Sequence, residues 1–184
     1  MQLIGKRLYL RPWKDDDARS LYELANDPAI GPSAGWPPHK TIKESRQIIA
    51  TVFSDPKTYA ICLKENDEII GAISLMRSRN DSNYPAGQCE LGFWIGKPYW
   101  GHAYVKEASL LVLKHAFEDL NMNKVWCGYY AGNEKSAKAQ AKIGFAFDHL
   151  VPSAPVPLLN EYRDEIVNVM SSKTWQTIKA RNKI

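Results

Sequence analysis

The stretch Trp94-Ile95-Gly96-Lys97-Pro98-Tyr99-Trp100-Gly101-His102-Ala103-Tyr104-Val105 joins the end of an apolar run to the start of a long helical pattern. Glycine and alanine cluster where the chain enters that helix. The first N–H groups of a helix have no partner inside it and lie at the positive end of its dipole. A pyrophosphate can accept those N–H groups, and small residues keep its approach clear. Each hydrogen bond to a charged oxygen contributes about 1.5–3 kcal/mol. A junction of this kind names no ligand by itself. Two phosphate loops are excluded: Gly-Lys-Ser/Thr occurs nowhere, and no Gly-x-Gly-x-x-Gly follows an early strand.

A second constellation lies further along. Asn133-Glu134-Lys135-Ser136 opens a short helical segment that Gly144 stops, and asparagine suits the cap position. Glu90 stands at the start of the apolar run that leads into the first junction.

These residues need elements to hold them. Residues 7–11 alternate polar and apolar, as a strand ended by Pro12, and Asp15, Asp16 and Asp17 suit the helix start that follows. Residues 28–40 are rich in proline and glycine and carry Trp36. Thr41-x-x-Glu44 makes a capping box for a second helix. Residues 59–63 and 69–76 flank a polar turn and read as an antiparallel hairpin; residues 77–88 form a polar loop that could edge an acceptor mouth; residues 90–95 form a third strand. The longest helix covers 101–120, a core strand 124–130 and a short helix 133–142. Strands at 145–151 and 165–172 close the core, with Pro152, Pro155 and Pro157 in the link, and 175–183 forms a polar tail that could be helical. Hairpin-linked strands followed by a crossover helix predict an α+β fold. The expected core is a mixed, mostly antiparallel twisted sheet of about seven strands with helices on both faces. One domain over 1–184 is expected, with its core at 7–172.

Composition narrows the classes. The 184 residues are 45% hydrophobic and 24% charged, which excludes a disordered, collagenous or coiled-coil architecture. The net charge of +4 is dispersed, which argues against nucleic acid as partner. No apolar run is long enough to span a bilayer, and residues 1–11 lack the apolar core of a secretory signal. Cys62, Cys89 and Cys127 are odd in number, scattered and set in apolar runs, so reduced thiols and a cytoplasmic location are expected. No zinc-ligand spacing occurs, and no metal is expected.

Taken together, the motifs resemble those of the GNAT superfamily of acyl-CoA-dependent N-acyltransferases. The chain is most similar to the RimJ/RimL branch, whose members acetylate N-terminal amines of ribosomal proteins. Leu8-Tyr9-Leu10-Arg11, Leu91-Gly92-Phe93-Trp94-Ile95, Trp100-Gly101-His102-Ala103-Tyr104 and Asn133, Ser136, Lys142, Gly144 and Phe145 carry the resemblance over about residues 7–172. It implies a GNAT-like fold, acetyl-CoA as co-substrate and a primary amine as acceptor, either a protein N-terminus or a small molecule. A homodimer is compatible with it. The cofactor loop departs from the superfamily pattern at Ala103 and Val105. Alanine there is expected to fit with a helical, negative φ, and valine can turn into the core. The altered loop leaves a non-catalytic acyl-CoA-binding module as the second reading.

The implied reaction calls for a base, an acid and an N–H donor. Glu90 is the base candidate. Ser136 is the acid candidate, because the tyrosine that many superfamily members carry one turn later is Gln140 here. Trp94 and Ile95, through their backbone, Gly96, Trp100, Gly101, His102, Ala103, Tyr104, Val105, Asn133 and Ser136 are expected to contact acetyl-CoA. Trp36, Glu161 and Tyr162 are expected near the acceptor.

Overall fold

The structure, a computed structural model, describes residues 1–79 and 82–182. Its strands are β1 (Leu3–Ile4), β2 (Leu8–Pro12), β3 (Thr58–Leu63), β4 (Ile69–Met76), β5 (Ser78–Arg79), β6 (Ser82–Asn83), β7 (Gln88–Ile95), β8 (Lys124–Tyr130), β9 (Ala146–Val156) and β10 (Glu161–Ser171). Its α-helices are α1 (Ala18–Ala25), α2 (Gly31–Ala34), α3 (Ile42–Thr51), α4 (Tyr104–Lys114), α5 (Glu134–Ile143) and α6 (Ser172–Asn182). Eight strands form one sheet in the order β1-β2-β3-β4-β7-β8-β10-β9, and only β7 and β8 run parallel. The expected α+β architecture is present, with β1 as the additional strand. The tip of the expected 77–88 loop, Asn80 and Asp81, lies outside the described residues.

Two cores sandwich the sheet. Tyr59, Ile61 and Leu63 of β3 face Val112 and Leu113 of α4 and Ala116 just beyond it. Ala60 and Cys62, between them, face Leu21 and Ile49 of α1 and α3. A strand covered on both faces must be apolar throughout, which explains the unbroken run in β3. Half of the expected capping box forms, Thr41 Oγ accepting the Glu44 N–H at 3.0 Å, while the Glu44 carboxylate reaches one residue past the cap and accepts the Lys40 N–H at 2.6 Å.

Three expectations need correction. The long helix is α only from Tyr104 to Lys114 and continues as a π-helical turn, His115–Asp119. The tail is a helix whose Trp175 is fully buried, stacked on Phe117 at 5.8 Å. Gly144 lets the chain reach it: φ is +112°, and a Cβ there would lie 2.2 Å from Ile178 of α6.

The third correction concerns the proline-rich link, which is strand. β9 runs through Pro152 and Pro155, and β10 already starts at Glu161. Ala131 N–H bonds the Asp164 carbonyl towards β8, so by alternation Arg163 and Glu165 turn to β9, where they pair with Ala154 and Val151. The adjoining Pro155 and Pro152 therefore direct their nitrogens off the sheet edge, where no ladder bond is lost.

Candidate active site

The parallel pair is short. Register pairs join Gln88 to Lys124, Cys89 to Val125 and Glu90 to Trp126, and there they stop. β7 continues to Ile95 bonded only to β4, and β8 continues to Tyr130 bonded only to β10. The two strands thus diverge and leave a cleft in the middle of the sheet.

Backbone alternation sets what faces the cleft. Gly96 N–H bonds the Ile70 carbonyl at 2.8 Å, so Trp94 directs its peptide groups to β4 while Phe93 and Ile95 direct theirs into the cleft. On the opposite wall Gly128 and Tyr130 face it. Several carbonyls are already used. Trp100 Nε1 donates to Ile95 O at 2.7 Å, Asn133 N–H to Tyr130 O at 3.0 Å, and Gln140 Nε2 to Gly128 O at 3.2 Å. The N–H groups of Phe93 and Ile95 remain on the cleft edge of β7. The Ile95 and Phe93 backbone thus faces the cleft, and the Trp94 backbone, which the sequence analysis grouped with Ile95, faces β4.

The loop after β7 ends at Ala103, the N-cap of α4. Gly101 has φ +84°, and a Cβ on it would meet nothing within 4 Å, so conformation and not space requires glycine. Ala103 has φ +60° and ψ +20°, not the negative φ expected for alanine. Left-handed geometry costs an L residue roughly 1–2 kcal/mol, so the loop keeps a glycine-like bend with a methyl on it. No side chain caps α4, and its first turn presents backbone N–H groups outward. Val105 is half-buried against the core.

Long-range tethers hold this loop. Arg7 donates to the His102 carbonyl at 3.0 Å and pairs with Glu107 at 2.8 Å, its guanidinium 4.6 Å from the Tyr104 ring. Burial pushes the Glu107 carboxyl up, but hydrogen bonds from the Arg7 backbone and side chain outweigh it and hold the pKa below its ordinary value. Tyr99 Oη donates to Glu68 at 2.5 Å; burial and that carboxylate push the phenol up to about 12. Lys135 lies 3.6 Å from the Trp100 ring, bringing the start of α5 to the loop. The His102 ring stacks on Tyr104 at 5.4 Å.

The α5 wall carries the polar groups. Asn133 Oδ1 accepts the Ser136 N–H at 3.1 Å, and its Nδ2 donates to the Ser33 carbonyl at 3.3 Å. Ser136 Oγ lies 3.2 Å from Gln140 Nε2, and Asn168 Nδ2 donates to Gln140 Oε1 at 2.7 Å.

Register places two buried carboxylates on the other face of the sheet. Glu90 is 4% exposed, and Tyr84 Oη donates to its Oε2 at 2.7 Å. Paired strands carry partners on one face, and side chains four apart share a face. Glu90, Trp94, Trp126, Tyr130 and the buried Glu165, which pairs with Tyr130, therefore share a side. The α2 loop covers it. Trp36 packs edge-on against Trp94 at 5.8 Å, and Gly35 sits against the Tyr130 hydroxyl. Burial lowers the pKa of His39, which lies beside Trp36 and 2.8 Å from Ser45 Oγ. Arg163 donates to the Pro32 carbonyl at 2.6 Å and holds Glu161 in an ion pair. Tyr162 is 76% exposed and lies opposite Pro155, on the alternate side from Glu161.

The cleft therefore lies between two different faces: a loop with α4 and α5 on one, and a layer of buried aromatic and carboxyl side chains on the other. Sequence reasoning gives no role to Phe93, Arg163 or Asn168, includes Tyr84 only within the 77–88 loop, and considers Gln140 only as lacking an acidic proton. Asn168 had a signal, as a lone amide in the apolar run Ile166–Met170; Phe93 had none without register. Among the described residues no group of three or more His, Cys, Asp or Glu could hold a metal, and no helix is long and apolar enough to cross a membrane.

Comparison with known proteins agrees with this geometry. Residues 7–146 match the acetyltransferase (GNAT) domain family. The chain is 25% identical over 154 residues to the uncharacterized N-acetyltransferase p20 of Bacillus licheniformis, covering 81% of this chain and 84% of that protein. A GCN5-related N-acetyltransferase from Brucella melitensis shares the fold with a TM-score of 0.85 at 18% identity, over 100% of this chain and 84% of that one. The ribosomal-protein-S5-alanine acetyltransferase of Vibrio fischeri does so with a TM-score of 0.74 at 19% identity, over 95% of this chain and 98% of that one.

Proposed function

The chain belongs to the acetyltransferase (GNAT) family and is an N-acetyltransferase, and from that premise we propose that it moves acetyl from acetyl-CoA directly onto a primary amine inside the cleft between β7 and β8. The whole chain is read as one catalytic domain. The observation that carries the proposal is the cleft itself, which opens immediately after the Glu90–Trp126 pair and lies between two different faces.

The residues present fit an acyl-CoA. The open space at Gly101 and the uncapped start of α4 suit a pyrophosphate. The N–H groups of Phe93 and Ile95 suit the amide carbonyls of an extended pantetheine chain, as an added strand would. When bound, acetyl-CoA supplies an acetyl group activated as a thioester: nitrogen bonds to the carbonyl carbon, and the carbon–sulfur bond breaks with its electron pair on sulfur.

The protein's own groups manage the protons. Glu90, on the acceptor face, takes the proton the amine must lose, directly or through water. Tyr84 fixes that carboxylate by its hydrogen bond. Ser136 Oγ–H, on the cofactor face, donates to the sulfur as it gains charge. An amine that arrives protonated first sheds one proton to solvent; a second leaves nitrogen for Glu90 as the nitrogen–carbon bond forms, and the sulfur departs as a thiolate held by the Ser136 hydrogen bond and takes its proton from solvent. Glu90 and Glu165 bring two carboxyl groups to the acceptor face, able to accept hydrogen bonds from the amine, while Trp36 and Trp94 exclude water. The resemblance to ribosomal-protein acetyltransferases favours a peptide N-terminus as acceptor over a small amine.

The test is CoA release from acetyl-CoA with a panel of peptide N-termini and small amines, together with thermal unfolding. Acetyl-CoA at about 100 times its Kd should add roughly 2.7 kcal/mol of stability. Glu90→Gln should lose about 10²-fold or more in turnover at neutral pH and keep the acetyl-CoA shift. An unshifted melting curve at millimolar acetyl-CoA defeats the cleft reading; full turnover in Glu90→Gln removes Glu90 from the reaction.

A further inference from the structure

Gln140 occupies a place where an ionisable hydroxyl would be useful, yet its side chain is fully buried and fully engaged. Its orientation follows from chemistry. The Gly128 carbonyl, 3.2 Å away, can only accept, so the atom facing it must be the amide nitrogen. The amide oxygen is then the atom that accepts from Asn168 Nδ2 at 2.7 Å. The same nitrogen lies 3.2 Å from Ser136 Oγ and must donate to it. A hydroxyl that receives a hydrogen bond from its inner neighbour has its own proton left to point elsewhere. Gly128 O faces the cleft, so Ser136 Oγ, joined to it through one amide nitrogen, sits at the cleft wall.

We propose that Gln140, held by Asn168, is a positioning residue that forces the Ser136 hydroxyl to act as a donor into the cleft, towards the CoA sulfur. This rests on the reading of Ser136 given above and deepens it. The residue that replaces a direct acid thereby sets the direction of a weaker one. Asn133 completes the arrangement by fixing the Ser136 backbone through its N–H. The inward face of Ser136 is an acceptor only, which a serine on an ordinary first helical turn would not be.

The proposal can be tested without knowing the acceptor. A hydroxyl donating to sulfur favours CoA thiolate over thiol, so bound CoA has the lower thiol pKa. CoA affinity must then tighten as pH rises towards the titration of the free thiol. The measurement is the Kd of CoA, and of desulfo-CoA as the sulfur-free control, from about pH 6.5 to 9.5. The protein should bind CoA about tenfold tighter at the alkaline end, the size of one hydrogen bond to a charged group. Desulfo-CoA should show no such rise. Gln140→Glu keeps the shape and the acceptor for Asn168 but offers Ser136 an acceptor, so its hydroxyl turns inward and the rise disappears. Gln140→Met, which cannot donate, serves if the buried carboxylate prevents folding. Ser136→Ala should also be flat, and the Ser136→Ala/Gln140→Glu double variant no different from Ser136→Ala alone.

The outcomes separate the two readings. Loss of the rise in Ser136→Ala with its retention in both Gln140 variants overturns the positioning role and leaves Ser136 as donor. A rise that survives in Ser136→Ala overturns both. An equal loss of CoA and desulfo-CoA affinity in the Gln140 variants shows a merely structural role and also overturns the proposal.

Discussion

Ala103→Gly should stabilise this protein, although glycine usually weakens a chain. Ala103 sits at φ +60°, ψ +20°, where an L side chain costs roughly 1–2 kcal/mol. Glycine removes that cost and adds unfolded-chain freedom worth about 0.4–1 kcal/mol in the opposite direction. The methyl is exposed, so little packing is lost, and glycine is also the better N-cap. The net gain is about 0.5–1 kcal/mol. For this size about 1 kcal/mol moves Tm by some 2–4 °C, so the expected rise is about 1–4 °C by scanning calorimetry. Ala103→Val, branched at Cβ in the same conformation, should fall by a similar or larger amount. A drop in Tm for Ala103→Gly would show that the left-handed bend at the start of α4 does not exist in solution, and the argument for the phosphate cradle would go with it.

Two further outcomes follow from packing and charge. Trp175→Ala should cost about 3–5 kcal/mol in urea unfolding, because it empties the site between α6 and Phe117; a loss below about 1 kcal/mol would mean that α6 is not docked. The Glu107 carboxyl titrates below its ordinary value because the hydrogen bonds from Arg7 outweigh burial, so its contribution is complete above the unfolded-state pKa and is lost as pH falls through the lower folded one. Glu107→Gln should therefore flatten the fall in urea midpoint between about pH 6 and pH 3, and an unchanged slope would count against the Arg7 tether.

Local signals in the chain were readable wherever local physics decides the structure. Thr41 and Glu44 announced α3, and the end of an apolar run at Ile95 followed by small residues announced the loop before α4. The resemblance extended this to the family. What could not be read depends on partners. Prolines 152 and 155 looked like a link because an edge strand tolerates them and a central one does not, and position in the sheet is not local. Trp175 looked like part of a polar tail because its contacts, Phe117 and the Gly144 turn, lie far away in sequence. The cleft depends on where register pairing stops, which composition does not encode. Ala103 was expected to keep the φ alanine prefers, and the Arg7 and Tyr99 tethers that hold the loop are long-range. Gln140 has no proton acidic enough to give, so nothing local marks it; its part emerges only beside Gly128, Ser136 and Asn168.

The prolines of β9 have a colloidal consequence. An outermost strand offers a row of outward N–H groups on which another chain can grow. Pro152 and Pro155 remove two donors from that row, while the inward pairing with β10 continues on either side of the irregularity opposite Asp164. A foreign strand laid along residues 152–156 would meet gaps where it needs bonds. The same residues that obscure this strand in the sequence thus keep its far half from serving as a template for polymerisation.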